Sequence, residues 1–171
     1  MSQIDPQIAR WFRIVDKQNR GRLNVTELQH ALRNNNYSTF DITCVQLMID
    51  MFDRDKSKTI SLSEFCDLWR FLGQWRQVFD RFDVDRSGSI DMRELAQAHQ
   101  QLGYHFSQQF AGTILQKFDY RKSGSLQFDG FVHSLLLIQR LTGAFQPFDT
   151  RRDGNAHFTY EQFLTTVLNN T

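Results

Sequence analysis

The sequence predicts an all-α fold of five helix–loop–helix units, with about eight helices and very short strands paired between loops. Apolar residues stand four and one places ahead of an aspartate at five points along the chain, which is the spacing of one helix face. A polar loop follows each of these aspartates, and a second amphipathic segment follows each loop. Only two prolines occur among the 171 residues, so long helices meet few breaks.

The five loops define the order of the chain. We number them from the N-terminus as loop 1 to loop 5, at residues 16–27, 53–64, 83–94, 119–130 and 149–162, and expect them to form one domain over residues 1–171. Loops 2 and 3 lie so close together that Ser63 to Phe82 should form nearly one helix. The same reasoning predicts nearly one helix from Gly130 to Phe148, between loops 4 and 5.

An aliphatic residue recurs at the eighth place of the first four loops. These residues are Leu23, Ile60, Ile90 and Leu126. One such residue from each of two neighbouring loops can pair as a minimal antiparallel sheet. The pattern therefore predicts that the loops associate in pairs.

Loop 3, with the sequence DVDRSGSIDMRE, places an oxygen-bearing residue wherever an EF-hand loop needs a ligand. The predicted ligands are Asp83, Asp85, Ser87, Ser89 through its carbonyl, Asp91 and Glu94. Gly88 stands at the sixth place, where the chain must turn sharply. Because Ca²⁺ is a hard cation that takes oxygen ligands at this spacing, we predict a calcium site here.

Loop 2 supplies a similar ligand set with one flaw. The predicted ligands are Asp53, Asp55, Ser57, Thr59 through its carbonyl, and Glu64. Lys58 stands where glycine belongs, at a cost of roughly 1 kcal/mol of backbone strain, and its ammonium adds repulsion. The loop predicts a weaker calcium site, with a purely structural loop as the alternative.

Loop 1 is a poorer candidate because two arginines lie within it. The ligands it could offer are Asp16, Gln18, Arg22 through its backbone carbonyl, and Glu27. Arg20 occupies the fifth place, where a guanidinium cannot coordinate a cation. Two carboxylates against two arginines leave little net field for a divalent ion. Mg²⁺ is a further candidate ion for the weaker loops.

Loops 4 and 5 lack essential ligands. Loop 4 has Arg121 at the third place and Gly130 at the twelfth. Loop 5 has Arg151 at its third place, and two inserted residues bring Gln162 to the place of the final glutamate. Both loops are predicted to be structural.

Five such units, the 14-residue loop 5 and the shared helices resemble the penta-EF-hand family of calcium-binding proteins. The segments FDRDKSKTISLSEFCDLWRFLGQWRQVFDRFD and LGYHFSQQF are most similar to group I of that family, the peflin-like and programmed-cell-death-linked members. Members usually carry a Gly- and Pro-rich segment ahead of the first hand. That segment is not in this sequence, so its functions are not carried over.

An odd number of hands predicts a dimer. Hands bury their apolar faces in pairs, and the fifth hand is left with an apolar face of its own. Its members are Phe145, Phe148, Phe158, Phe163 and Leu164. Pairing with the fifth hand of a second chain would bury this face by twofold symmetry. We predict a homodimer, or a heterodimer with a related penta-EF-hand chain.

The ligand pattern favours a calcium sensor. Glu94 would draw the following helix toward the ion and open an apolar groove. The proposed groove residues are Trp69, Phe71, Trp75 and Phe79, with core packing as the alternative role of this stripe. The resemblance implies apolar or Pro-rich peptide partners and calcium-promoted membrane association. A calcium buffer and a calcium-independent regulatory or scaffold subunit are the competing functions.

Composition excludes several other classes. A formal net charge of +1 predicts no nucleic-acid partner. The two cysteines form neither a disulfide framework nor a paired metal motif, and the five histidines are scattered away from any nucleophile. We therefore predict no enzyme. The start of the sequence lacks signal-peptide features, so we expect a cytoplasmic protein that calcium recruits to membranes.

Overall fold

Eight α-helices and one two-stranded sheet account for the regular structure of residues 5–169, the part of the chain that the computed structural model describes. The elements in chain order are α1 Pro6–Val15, β1 Arg22–Leu23, α2 Val25–Ala31, α3 Ile42–Phe52, β2 Ile60–Ser61, α4 Leu62–Phe82, α5 Met92–Gln101, α6 Gln108–Phe118, α7 Phe128–Phe145 and α8 Tyr160–Leu168. The predicted all-α class is confirmed. The residues divide into two units, with the boundary between His133 and Ser134.

The first residue of each of loops 1 to 4 also ends the helix before it. The backbone N–H of Asp83, for example, donates to the Phe79 carbonyl at 2.9 Å. Asp16, Asp53 and Asp119 are likewise the C-cap residues of α1, α3 and α6, and each backbone N–H donates to the carbonyl four residues earlier. The helix ends therefore determine where each loop aspartate is placed.

The ninth and twelfth residues of loops 1, 2 and 3 cap the following helix. In each loop the ninth side chain accepts from the backbone N–H of the twelfth residue, and the twelfth side chain accepts from the backbone of the ninth. The pairs are Asn24 with Glu27, Ser61 with Glu64, and Asp91 with Glu94. This reciprocal capping box fixes the position of the glutamate at the last place of the loop.

The loops pair through their eighth residues, as predicted. Leu23 lies opposite Ile60 in the antiparallel β1–β2 pair, and Ile90 forms a bridge with Leu126. The Ile90 and Leu126 backbones exchange two N–H···O bonds of 2.8 Å. All four side chains are completely buried. Each pair of loops therefore shares one small apolar contact beneath its polar surface.

Helix α4 serves both the second and the third hand. It runs from Leu62 to Phe82 without interruption, which confirms the predicted shared helix. Phe79 is completely buried, with the Phe128 and Phe131 rings at centroid distances of 5.5 and 5.4 Å. The helix after loop 4 is also long, but α7 ends at Phe145, three residues before the predicted end at Phe148.

The aromatic stripe of α4 is divided between the core and the surface. Phe79 belongs to the core in this structure, which is the alternative role that the sequence left open for the stripe. Phe71 lies between Phe52 and Trp75, at centroid distances of 5.3 and 6.1 Å. Trp69 packs on Phe65 and remains 37% exposed. The four aromatics therefore do not share one face of the helix.

The second unit contains loop 5 and α8. The Phe158 ring contacts Phe148 at a centroid distance of 4.4 Å and Phe145 at 6.2 Å. No residue of α8 is buried, and Phe163 is 52% exposed. The fifth hand therefore presents an apolar helix to the solvent.

None of the helices among residues 5–169 has both the length and the apolar character that crossing a lipid bilayer requires.

His99 should make folding stability depend on pH. Its side chain is 1% exposed, neither ring nitrogen has a hydrogen-bond partner, and burial lowers its pKa to about 4. The unfolded chain, with an ordinary histidine pKa, binds the proton first, so stability falls as the pH drops from about 6.5 toward 4. The expected loss at pH 5 is about 2 kcal/mol relative to pH 7. Urea unfolding at both pH values, compared with His99→Leu, measures this difference.

The exposed His105→Leu variant is the matched control and should keep the wild-type pH dependence. If His99→Leu loses as much stability as the wild type on acidification, the buried imidazole is not the source.

Candidate metal centres

Loop 3 brings three carboxylates together. One oxygen from each of Asp83, Asp85 and Glu94 lies within 4.8 Å of the others. Because Ca²⁺–oxygen bonds are about 2.3–2.6 Å long, oxygens at these separations can reach one ion between them. We call this arrangement the loop 3 cage. Of the six predicted ligands, these three carboxylates are brought together, whereas the Asp91 carboxylate lies outside this group and accepts from the backbone N–H groups of Arg93 and Glu94.

Backbone groups hold the loop 3 cage in shape. The N–H groups of Ser87 and Gly88 donate to the Asp83 carboxylate at 2.8 and 2.9 Å. The Ser87 N–H also donates to Asp85 at 2.9 Å, and hydrogen bonding from Ser87 lowers the pKa of Asp85. Glu94 accepts from the backbone N–H groups of Val84 and Asp91 at 2.8 and 3.0 Å. The carboxylates are therefore oriented by the chain itself.

Internal cations do not neutralise the loop 3 cage. None of the salt bridges formed within residues 5–169 involves Asp83, Asp85, Asp91 or Glu94. Asp83 and Glu94 are nevertheless buried. Converging carboxylates with little water around them attract a cation from solution.

Loop 2 forms a second cage from equivalent residues. One oxygen from each of Asp53, Asp55 and Glu64 lies within 4.8 Å of the others. Burial acts to raise the pKa of Glu64, but hydrogen bonds from the Ser61 backbone and hydroxyl and from the Arg54 backbone outweigh it, so the pKa is lowered. The Glu64 carboxylate is therefore held in its charged form. We call this arrangement the loop 2 cage.

Lys58 takes the backbone conformation predicted for its place in loop 2, but its ammonium lies beside a residue outside the predicted ligand set. Its φ of +60° lies in the left-handed region that favours glycine, so the expected backbone strain is present. Its ammonium lies 3.6 Å from Asp50, which is not a predicted ligand. Of the two weaknesses predicted for loop 2, the structure therefore contains the strained backbone, while the lysine charge is paired with Asp50.

Arg22, from loop 1, reaches into the loop 2 cage. Its Nη2 donates to Asp55 at 2.5 Å, and its Nη1 donates to the Ser57 hydroxyl at 2.6 Å. A longer bond of 3.3 Å joins Nη1 to the Thr59 hydroxyl. The hydrogen bond from Arg22 holds the pKa of Asp55 well below its usual range. From the sequence, Arg22 was expected to offer its backbone carbonyl and to add a second cation to loop 1, but the contact of its side chain with loop 2 was missed.

Loop 1 contains its own cation. The Arg20 guanidinium donates to Glu27 at 2.6 Å, joining the fifth and twelfth places of the loop. Asp16 is buried and accepts from the backbone N–H groups of Arg20 and Gly21 at 3.0 and 2.7 Å. Gln18 lies exposed on the loop surface. Arg20 therefore occupies Glu27, the carboxylate that an ion in loop 1 would need as a ligand.

Loop 4 is closed by a buried ion pair. Arg121 donates through both terminal nitrogens to Asp129, at 3.2 Å each, and Asp129 is completely buried. The Asp41 backbone N–H also donates to Asp129 at 2.8 Å. This two-bond geometry is the strongest form of an arginine–carboxylate pair. The arginine at the third place was evident from the sequence, but its partner at the eleventh place was not.

Gly130 shows why loop 4 carries no glutamate at its twelfth place. A Cβ added there would lie 2.4 Å from the Phe118 carbonyl oxygen. Real Cβ atoms do not approach an oxygen so closely, so any side chain would force the backbone apart. The missing ligand is therefore a requirement of local packing.

Loop 5 keeps its turn and not its ligand set. Asp149 accepts from the backbone N–H groups of Asp153 and Gly154 at 3.1 and 3.0 Å. Gln162 takes the helix-capping position of the final glutamate, since its side chain accepts from the Thr159 N–H at 2.9 Å. Residues 149–162 therefore follow the 14-residue spacing, with a neutral amide at the place of the last ligand.

The chain is similar to known proteins with EF-hands. The sequence profile of the EF-hand domain pair matches residues 5–70 and 74–136. A peflin of Danio rerio is 41% identical over 167 residues, which cover 96% of this chain and 62% of that protein. A sorcin of Schistosoma japonicum is 41% identical over 157 residues, which cover 92% of this chain and 91% of that protein.

A solved structure has the same fold. It is a homologue of programmed cell death 6 protein from Leishmania major Friedlin, with a TM-score of 0.82 and 30% sequence identity. The match covers 96% of this chain and 94% of that one. The chain spans only about three fifths of the length of the peflin it matches.

Gly130→Ala should destabilise the protein, because its Cβ would clash with the Phe118 carbonyl. We expect a loss of about 1–3 kcal/mol in the free energy of unfolding, measured by urea denaturation. Gly73→Ala, in α4 with no atom within 4 Å of the added carbon, is the matched control. It should be neutral or stabilise by up to about 1 kcal/mol. A Gly130→Ala protein as stable as the wild type would refute the packing explanation.

Proposed function

The chain belongs to the EF-hand proteins, in the peflin-like branch of the penta-EF-hand family, and from that premise we propose that it is a calcium sensor and adaptor whose principal switch is the third hand. It is a calcium-binding protein of the peflin, sorcin and programmed-cell-death-6 type. The observation that carries the proposal is the loop 3 cage, which gathers three carboxylates with no salt-bridge partner among residues 5–169. The affinity expected of a sensor loop is about 10⁻⁷–10⁻⁵ M.

Glu94 links this loop to the helix that follows it. Its carboxylate accepts from the Val84 and Asp91 backbones, and it stands in the first turn of α5. A bound Ca²⁺ supplies two positive charges at the centre of the cage. To give both oxygens to an ion, Glu94 must loosen its bond to Val84 and draw the start of α5 with it. Helix α5 packs against α4 and α6, so its movement is transmitted to both.

An apolar groove on the first unit supports the adaptor role. It has a volume of about 210 Å³ and is lined by Trp69, Leu72, Phe40 and Phe128 among others. Arg76 lies over the Phe128 ring, 3.7 Å from its centroid. An aromatic wall with one adjacent guanidinium suits an apolar or Pro-rich peptide, which we propose as the ligand. Of the four residues proposed from sequence, Trp69 lines this groove.

The exposed face of α8 supports dimerisation through the fifth hand. Phe163 and Leu164 are exposed, and Phe145, Phe148 and Phe158 are half-buried. A second fifth hand, from the same chain or a related one, is the partner we propose for this face. Calcium-promoted membrane association, a cytoplasmic location and the absence of enzymatic activity complete the proposal.

One observation favours a second function, that of a calcium-independent regulatory or scaffold subunit of a heterodimer. Loops 1 and 4 are closed by their own arginine–carboxylate pairs, Arg20 with Glu27 and Arg121 with Asp129. Such loops keep their charge balance without a metal. A scaffold would bind its partner equally well in calcium and in EGTA, whereas a sensor would not.

Glu94→Gln tests the sensor directly. Removal of one ligand charge should weaken the strongest calcium site at least about tenfold and abolish calcium-dependent binding of a hydrophobic dye. Titration calorimetry and dye fluorescence measure the two effects. Glu27→Gln is the matched control, because its carboxylate already pairs with Arg20, and it should retain the strong site. An unchanged strong site in Glu94→Gln would contradict the assignment to loop 3.

Phe163→Glu tests the dimer. We expect the mass in sedimentation equilibrium at micromolar concentration to fall from two chains to one, because a carboxylate cannot be buried in an apolar interface without a partner. Tyr37→Glu, at an exposed aromatic of the first unit, should leave the dimer intact. A wild-type protein that sediments as a single chain would exclude the homodimer through the fifth hand.

A further inference from the structure

We propose that Arg22 is a built-in competitor for the calcium site of the second hand, so that loop 2 fills only at higher calcium concentrations than loop 3. The inference rests on the proposed calcium-sensing function and adds a regulatory residue outside the loop that it controls. Arg22 lies in loop 1, and its guanidinium contacts three residues of loop 2.

The two cages are otherwise closely matched. Both draw on aspartate at the first and third places, serine at the fifth and glutamate at the twelfth. In each, the carboxylate oxygens lie within 4.8 Å of one another. The first aspartate accepts from the backbone of the fifth and sixth residues in both loops. The loops differ at the ninth place, with Asp91 in loop 3 and Ser61 in loop 2, and at the sixth place, with Gly88 in loop 3 and the strained Lys58 in loop 2. Both differences favour loop 3, and Arg22 adds a competing cation to loop 2.

The Arg22 guanidinium lies against two of the loop 2 ligands. It donates to both oxygens of Asp55, at 2.5 and 3.4 Å, and to the Ser57 hydroxyl at 2.6 Å. An ion bound by Asp55 and Ser57 would have to displace these bonds. It would also approach a fixed positive charge, which disfavours a divalent cation.

Strand pairing places the Arg22 side chain next to loop 2. Arg22 lies opposite Ser61, and the completely buried Leu23 lies opposite Ile60. Since the apolar pair fixes the register, the side chain before Leu23 is held beside the ligand loop. The strand register therefore places the Arg22 guanidinium beside the loop 2 ligands.

The other pair of loops lacks this device. Ile90 and Leu126 join loops 3 and 4 as Leu23 and Ile60 join loops 1 and 2. The residue before Leu126, which corresponds to Arg22, is Ser125. Serine carries no charge and does not extend into loop 3. The contrast between Arg22 and Ser125 therefore adds to the ligand differences that favour loop 3 over loop 2.

Exchanging these residues tests the proposal. The assay is calcium titration calorimetry at fixed ionic strength in Glu94→Gln protein, where the strong site has been removed. Arg22→Ser in that background should raise the affinity of the remaining site by at least about tenfold. Adding Glu64→Gln should abolish the gain, which locates it in loop 2. Arg54→Gln is the matched control, because Arg54 pairs with Asp67 outside the cage, and it should change the affinity less than about threefold.

The reciprocal variant is Ser125→Arg in the wild-type background, which should weaken the strong site at loop 3 by about tenfold. Thermal unfolding in EGTA reports whether each variant remains folded. No gain in Arg22→Ser, or an equal gain in Arg54→Gln, overturns the inference. If Glu94→Gln alone leaves the strong site intact, the proposed function fails instead, and the comparison of Arg22→Ser with Arg54→Gln still decides whether Arg22 competes.

Discussion

The structure depends on the need of each carboxylate cage for a positive charge. A loop that brings several carboxylates within a few ångströms stores electrostatic repulsion, which a nearby cation must offset. In loops 1 and 4 the chain supplies that cation itself, as Arg20 and Arg121. Arg22 crosses from loop 1 to serve loop 2. Among loops 1 to 4, loop 3 is the one whose carboxylates form no salt bridge within residues 5–169, so its charge balance depends most on an ion from solution.

This division explains how damaged loops remain part of the fold. Every one of loops 1 to 4 keeps its first aspartate at a helix end, and their eighth residues stay buried against each other. These contacts need neither the ligands nor an ion. Loop 4 can therefore replace its ligands by the Arg121–Asp129 pair and still support the third hand through the Ile90–Leu126 bridge. Structural hands and ion-binding hands share one frame and differ in where their positive charge comes from.

The sequence predicted most of the frame because its signals are local and periodic. The short interval between loops 2 and 3 predicted a shared helix over Ser63–Phe82, which the structure has over Leu62–Phe82. The eighth-place residues predicted that neighbouring loops pair. The reach of the Arg22 side chain was missed because it depends on strand register, which loop spacing does not specify. Asp129 was missed because the eleventh place carries no ligand in the loop pattern. The role of Phe79, in a groove or in the core, was left open because periodicity indicates an apolar face and not which neighbours cover it.

A crystal structure of the protein grown in saturating calcium should show an ion in the loop 3 cage, with Arg20 still paired to Glu27 and Arg121 still paired to Asp129. Ions in loops 1 and 4 with those two guanidinium groups displaced, beside a loop 3 that holds none, would contradict this expectation.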